Sequence, residues 1–481
     1  MKNKTYLFTL TISPVQSFIS QARQTKDLFT GSEILSNLIQ KALENFTEKE
    51  IIFPQKSKFV SNKFLVKLED KIPKDIEDLD KKLKDGINSD FINLIFKNTQ
   101  QCDNAFQNFF KVFWVAVKLK EDYTDKDYKE SYRNLEQNLG AVKNLRTFSQ
   151  EAQLKDYPKC VLCGERNQAK EDKEDKLCLI CYTKRTCSKD NSSFPSTADI
   201  VLLPKKEKDA QKYLEDNPSE KKYYALLQLD IDDMGKKLSA LNEDGQIKLS
   251  KKLGEFAGKA KEIVDTQNNN IENTKCTIYA GGDDFLGFVN LAYLFDVIEK
   301  ITEVFGEAKA SLPYTLTFST SIIIAHYKAP LHKVLDFSRS LLDETKNHFD
   351  DKNGMGIIVL NNSAINAKTI CRYENFKLLE KMKNEEVGFN LHYKLQTTFS
   401  FIESQKNMNK DDYDSLIVMI EYEIKRLLQR EKGEFNKTLY GKLISFLHKQ
   451  VDGLKTNDKI KINFENFIAY LKTLEQLKKV M

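Results

Sequence analysis

The chain is poor in histidine: five in 481 residues, at positions 326, 332, 348, 392 and 448, and none is followed by aspartate. An HD-type metal nuclease needs that dipeptide, so DNA cleavage of that kind is not expected. Long apolar runs are also missing. No stretch of 18 apolar residues occurs, which argues against a membrane-spanning helix. The opening residues, MKNKTYLFTLTISPVQSF, lack the charged, apolar and small-residue pattern of a secretion signal. A large excess of either charge is absent as well: 75 basic against 70 acidic residues leave +5. Such a balance permits a nucleic-acid partner without demanding one, because local patches matter more than the total. The expectation is a cytoplasmic protein with no membrane partner.

What is present is enough to fill real cores. The chain is 41% apolar and 11% aromatic, and its length suits roughly three domains of about 150 residues. Thr5 to Ile12 alternates as a strand. The next segment, PVQSFISQARQTKDLFTGSEILSNLIQKALENF, has helical spacing with a break at Gly31-Ser32. FFKVFWVAVKL, 109 to 119, reads as a buried strand. Residues 160 to 190 carry many charges and few large apolar side chains, so they cannot bury much and need a covalent or metal staple. Residues 205 to 222 read as a linker or an exposed helix.

A compact pattern follows. YYALLQLDI (223 to 231) is a strand and 247 to 266 a helix. CTIYA (276 to 280) and FLGFV (285 to 289) form a hairpin, followed by a helix near 292 to 305 and a strand over 314 to 327. Leu331, Val334, Leu335, Leu341 and Leu342 mark another helix, and MGIIVL (355 to 360) a last strand. The order strand, helix, strand, strand, helix, strand is that of a ferredoxin-like palm. From about 372 onward the pattern is helical, with Leu416, Met419, Ile420, Ile424, Leu427 and Leu428 expected on one face.

Two acidic motifs fall inside this palm. LLQLDIDDMG puts Asp230, Asp232 and Asp233 at the end of its first strand, and YAGGDDFLGF puts Asp283 and Asp284 on the hairpin turn. Either alone is commonly a solvated strand end or a water-facing turn. In one palm they become neighbours, and clustered carboxylates repel unless a cation lies between them. Hard oxygen ligands suit Mg²⁺ or Mn²⁺. Asp230 and Asp283 are the first candidates as ligands, then Asp284, with the carbonyl of Ile231 a further one. Gly281 and Gly282 leave room for a phosphate to approach the backbone. Asp232 and Asp233 have a plainer role open to them, capping the next helix.

LTIS, 10 to 13, aligns with LDID, 229 to 232, placing Thr11 at Asp230 and Ser13 at Asp232. This reads as a second palm without metal carboxylates. Ser13, Gln16, Ser17 and Ser32 could hold a nucleotide there through hydroxyls and a helix N-terminus. The plainer alternative is that Ser13-Pro14 starts a helix. Between the palms, CVLC (160 to 163) and CLIC (178 to 181) form two knuckles separated by 14 residues. Cys160, Cys163, Cys178 and Cys181 are expected to close a structural Zn²⁺ site, with Cys187 a bystander; a redox pair is the weaker alternative.

With ISPVQSFISQARQTKDLFTGSEILS, LDIDDMGKKL, GGDDF, AHYKAPLHKVL, ETKNHFDDKNGMGI and the paired cysteines in view, the chain resembles the large subunit of type III CRISPR effector complexes, Cmr type, without the HD domain. The resemblance implies two palms facing each other with nucleotides between them. It implies target-RNA-activated conversion of ATP into cyclic oligoadenylate, with Asp230, Asp283 and Asp284 on the metals. Lys346 matches a lysine that faces the triphosphate, or is simply an exposed helix lysine. Joining AMP to S-adenosylmethionine is an alternative product. A stand-alone cyclic dinucleotide synthase and an idle RNA-binding scaffold are alternative functions. Implied partners are other Cmr subunits, guide RNA and target RNA. The expected fold is α+β: an N-terminal palm over 1–150, a zinc segment over 151–195, the GGDD palm over 196–370 and a helical domain over 371–481.

Overall fold

The computed structural model describes residues 4–481 except 56–61, 102–108, 146–157, 188–193, 206, 268–274, 311, 362–363, 384–389, 401–409, 433–436 and 453–463. The domain boundary expected at 150 lies outside the described residues.

The first unit runs β1 (Lys4–Ser13), α1 (Gln16–Ser20), α2 (Thr25–Leu43), β2 (Ile51–Phe53), β3 (Lys63–Lys71), α3 (Pro73–Thr99), β4 (Lys111–Lys118) and α4 (Asp125–Asn144). Its sheet has the order β2-β3-β1-β4. Alternation along β1 is used on both faces. Phe8, Leu10 and Ile12 enter the main core with α2 and α3, while Leu7 meets Tyr128, Tyr132 and Leu135 of α4. β4 is shorter than the sequence pattern indicates and only half-buried. It is the sheet's edge, so one flank has no neighbouring strand, and an all-apolar run there is covered only in part, as by the stack of Trp114 on Phe8 at 5.7 Å.

The cysteine segment contributes β5 (Lys170–Asp172), β6 (Asp175–Leu177) and α5 (Leu179–Thr186). Contrary to the expectation that it buries little, Leu179, Ile180, Cys181, Thr183, Lys184 and Arg185 are all buried. Polar side chains can be buried there because each finds a specific partner, as shown below. α6 (Thr197–Val201) comes next, and the charged stretch over 205 to 222 forms the largely exposed α7 (Ala210–Asp216).

The second unit runs β7 (Tyr223–Ile231), α8 (Met234–Ala240), α9 (Glu243–Asp265), β8 (Thr277–Ala280), β9 (Asp284–Asn290), α10 (Leu294–Ala310), β10 (Phe318–His326), α11 (Leu331–His348), β11 (Met355–Asn361) and β12 (Ala364–Cys371). The sheet order is β12-β11-β10-β7-β9-β8. Four of its strands, β10-β7-β9-β8, repeat the order of the first sheet, so both units are ferredoxin-like. The strand expected over 314 to 327 begins only at Phe318. β11 is not the last strand: β12 follows it, antiparallel, along the edge. Its first residues, Ala364 and Ile365, are exposed and Thr369 is buried, so apolar character along it does not alternate with burial as in a half-buried strand.

Helices α12 (Tyr373–Lys383), α13 (Leu391–Thr398), α14 (Lys410–Lys432), α15 (Lys437–Asp452) and α16 (Phe464–Val480) complete the chain, with α16 packed on β12. On α14 the buried face is Leu416, Ile417, Ile420, Ile424 and Leu427, whereas Met419 is 55% exposed. At 3.6 residues per turn the stripe through 416, 420, 424 and 427 takes in 417 and turns 419 outward.

The two palms meet as near-equivalent halves. Helix α2 of the first packs on β8 of the second, and α9 of the second packs on β2 of the first. Corresponding elements exchange places, the pattern of an isologous interface.

Candidate active site

β7 and β9 place Asp230 opposite Asp284. The amide of Ile231 donates to the carbonyl of Asp283 at 2.8 Å. The neighbouring pair 230/284 is therefore a non-hydrogen-bonded pair, the kind in which Cα atoms approach to about 4.5 Å and side chains lie closest. The turn before β9 is tight. Gly282 has φ +89°, and the Gly281 amide donates to the Asp284 carbonyl at 2.8 Å. A Cβ on Gly281 would collide with Asp284 Oδ1. The glycines thus let the Asp284 carboxylate fold back over the turn.

Lysines and backbone amides offset part of these charges. Lys346 Nζ lies 2.6 Å from Asp230 Oδ2. A lysine that close lowers a carboxyl pKa, yet withdrawal of Asp230 from bulk water outweighs it and the net shift is upward. Asp283 is pushed up to about 6, first by loss of solvent and then by the charge of Asp230. Asp284 is raised by the same loss of solvent, then by Asp283 and Asp230. Its side chain opens into the cleft, and water there blunts the push. The carboxylates hold more negative charge than their surroundings neutralise, and their donors are all hard oxygens, so a divalent cation fits them. They are not already gathered as ligands: among the described residues, the group whose ligand atoms all lie within 4.8 Å of one another is the four cysteines. Asp230 is engaged by Lys346 instead.

Asp232 and Asp233 do not cap α8 through their side chains. Asp232, 3% exposed, accepts from Thr317 Oγ1, Ser319 Oγ and the Asn353 amide at 2.9, 2.8 and 3.1 Å. It brackets the ends of three chain segments beneath the site. Asp233 occupies the position before α8 but pairs with Lys352 at 2.9 Å.

Beside Asp284 a cavity of about 450 Å³ opens between the palms. Gln16, Ser32, Gly281 and Asp284 line it, together with Arg339, whose guanidinium donates to the Gln16 carbonyl at 3.1 Å. Of the remaining residues singled out for nucleotide contact, Ser13 and Ser17 lie outside this lining, Ser17 being exposed. Ile231 and Gly282 frame the turn, and Lys346 lies on Asp230. Nothing in the sequence marks Arg339 or Asp232 for these places; both depend on contacts across long sequence separations.

The cysteine cluster is formed by two knuckles. Cys160 accepts the Gly164 amide through its carbonyl at 2.9 Å, with Gly164 at φ +67°, and Cys178 begins α5, its sulfur accepting from the Cys181 amide. Four thiols so placed can hold zinc.

Comparison with known proteins accords with this architecture. Residues 7–138 match the family model of the CRISPR-associated protein Cmr2, N-terminal, and residues 223–356 that of Cas10/Cmr2, second palm domain. Together they span more than half of the chain. The CRISPR system Cmr subunit Cmr2 of Pyrococcus furiosus is 23% identical across 92% of this chain and 74% of its own length. A chain of the type III-B Cmr-beta complex, apo state, is similar with a TM-score of 0.68 at 14% identity, covering 98% of this chain and 82% of that one. The same complex bound to cognate target RNA gives 0.63 at 13%, covering 99% and 83%. A Csm1–Csm4 cassette in complex with cA4 gives 0.51 at 13%, covering 100% and 70%. These structural likenesses concern the fold. With two palms of one topology and both family models in chain order, the chain belongs to the Cas10/Cmr2 family.

Proposed function

We propose that this chain is the large subunit of a type III, Cmr-type CRISPR complex and acts there as a nucleotidyltransferase on ATP, switched on by target RNA, to make a cyclic oligoadenylate. The observation that carries the reading is Asp284 at the rim of an inter-palm cavity large enough for a nucleotide, with Asp230 facing it across the sheet and Asp283 beside it on the turn.

In this reading Asp230, Asp283 and Asp284 hold Mg²⁺ or Mn²⁺. Those ions, when bound, supply acidity to the attacking hydroxyl and neutralise charge at phosphorus. Gln16, Ser32 and Arg339 orient a nucleotide in the cavity. Lys346 leaves Asp230 and turns its ammonium to the triphosphate, which keeps the site's charge balanced as carboxylates change partner. The 3′-hydroxyl of one nucleotide attacks the α-phosphorus of the next. The new O3′–P bond forms as the P–O bond to pyrophosphate breaks, and the hydroxyl proton leaves to solvent. The cysteine cluster holds a structural zinc outside this chemistry. Other Cmr subunits, guide RNA and target RNA are the partners, and the cytoplasm the compartment. The resemblance to a chain in a target-RNA-bound Cmr-beta complex and to a cassette in complex with cA4 supports this reading.

The test is the assembled complex with guide and target RNA, Mn²⁺ and labelled ATP, with and without S-adenosylmethionine. Oligoadenylate products lost in Asp283→Ala with Asp284→Ala are expected. A product that requires S-adenosylmethionine would change the messenger but keep the site. No product from a complex that binds target RNA would reject catalysis.

A further inference from the structure

The cavity wall formed by α1 is held from outside the palms. Helix α1 spans five residues, too short to persist alone. Its final turn leaves carbonyls without helical partners. Lys184, on α5 of the cysteine segment, reaches into this turn. The residue is 1% exposed, and its ammonium donates to the carbonyls of Phe18 and, at 2.7 Å, Gln21, and lies 4.9 Å over the Phe18 ring. Space for it exists because residue 31 is glycine: a Cβ there would come within 3.0 Å of Lys184 Cε.

The next residue secures the other end of the same arm. Arg185 places Nε and Nη2 on the two oxygens of buried Asp27, at 2.5 and 2.9 Å. Asp27 Oδ2 in turn accepts the amides of Arg23 and Gln24, both at 3.0 Å, fixing the link between α1 and α2. Lys184 and Arg185 lie three and four residues after Cys181, on the helix face that the cluster cysteine shares. The thiol cluster, α5 and the arm over residues 14–27 therefore form one connected unit, and that arm carries Gln16 into the cavity.

We infer that Lys184 is a positioning residue for nucleotide binding: anchored by the cysteine cluster, it sets the place of α1 and so of the Gln16 wall of the inter-palm cavity. The inference rests on the reading of that cavity as a nucleotide site.

The experiment uses the full-length, zinc-loaded chain and Lys184→Met. One readout is hydrogen exchange of the amides in residues 14–24 without nucleotide. The other is ATP affinity with Mn²⁺, with turnover in the assembled complex. Faster exchange, a roughly five- to tenfold weaker affinity and KM, and kcat restored at saturating ATP are expected, with zinc still bound. If Lys184→Met does not fold, Gly31→Ala is used, since it presses on the lysine without removing it. Smaller changes of the same sign are expected there. Unchanged exchange would overturn the inference, as would faster exchange with unchanged ATP affinity. If the wild-type chain bound no ATP while the variant still loosened the arm, the functional reading would fall and the mechanical link would stand.

Discussion

Lys63 holds in the first palm the place that Asp284 holds in the second. Thr11 faces Lys63 across β1 and β3 as Asp230 faces Asp284 across β7 and β9, and the Ile12 amide donates to Asn62 as that of Ile231 donates to Asp283. Three acidic positions of one palm are thus Thr11, Asn62 and Lys63 in the other. Lys63 is itself neutralised by Glu136, at 2.6 Å from both carboxylate oxygens. A fixed ammonium excludes a divalent cation from that half. Manganese binding, counted by electron paramagnetic resonance, is therefore expected to depend on the second palm alone. Asp230→Asn with Asp284→Asn should weaken Mn²⁺ binding at least tenfold, which is about 1.4 kcal/mol of binding free energy.

Lys346 competes with any cation for Asp230. Replacing it with methionine is expected to tighten Mn²⁺ binding in the absence of nucleotide by roughly three- to tenfold, the scale of a partly buried charge contact. ATP affinity should fall in the same variant. Manganese titrations with and without ATP check both signs.

Gly281 is required by the Asp284 carboxylate rather than by its own backbone. Gly281→Ala should cost at least tenfold in turnover while thermal stability moves little, since the alanine displaces a side chain at the cleft. Gly282→Ala should instead destabilise by about 1 kcal/mol, because its φ of +89° strains any residue with a Cβ. Melting curves beside activity assays separate the two.

Asp232 is a structural aspartate next to functional ones. Asp232→Ala strands the hydroxyls of Thr317 and Ser319 and the Asn353 amide, and should destabilise by about 2–4 kcal/mol. Denaturation of this variant and of Asp230→Ala should differ accordingly, the latter losing little.

His326 and His348 both have their pKa lowered from 6.5, chiefly by burial, with Lys222 and Lys328 adding to it at His326 and Arg372 at His348. The unfolded chain binds their protons first as pH falls. Their contribution to stability is therefore full above pH 6.5 and is lost below it, through the lowered folded-state values. The melting temperature of His326→Gln with His348→Gln should fall less steeply between pH 6.5 and 5 than that of the parent chain.

Local pattern explains why so much of the second palm was readable. β7, α9, the β8–β9 hairpin and α11 each carry their own period, and the turn residues Gly281 and Gly282 mark the hairpin. The chain order of these elements admits one familiar sheet order, which brings Asp230 to Asp283 and Asp284. β12 was not readable because this edge strand leaves Ala364 and Ile365 exposed and buries Thr369, so residue type does not report its buried face, and Met419 was misplaced because its apolar character does not report which way a helix is rotated.

By itself, the sequence determined what chemistry is available: carboxylates on a glycine turn, four thiols on two knuckles, and two repeats of one strand–helix order. These are short-range properties, set by residue type and spacing along the chain. Only the tertiary structure decided which groups answer one another. It put Lys346 on Asp230, Lys63 opposite Thr11, Arg339 on the Gln16 carbonyl, and Lys184 and Arg185 of α5 under the arm that walls the cavity. Each of those contacts joins residues more than 50 positions apart. It exists because buried charges and carbonyls must find partners, and packing, not sequence distance, selects which partner is in reach.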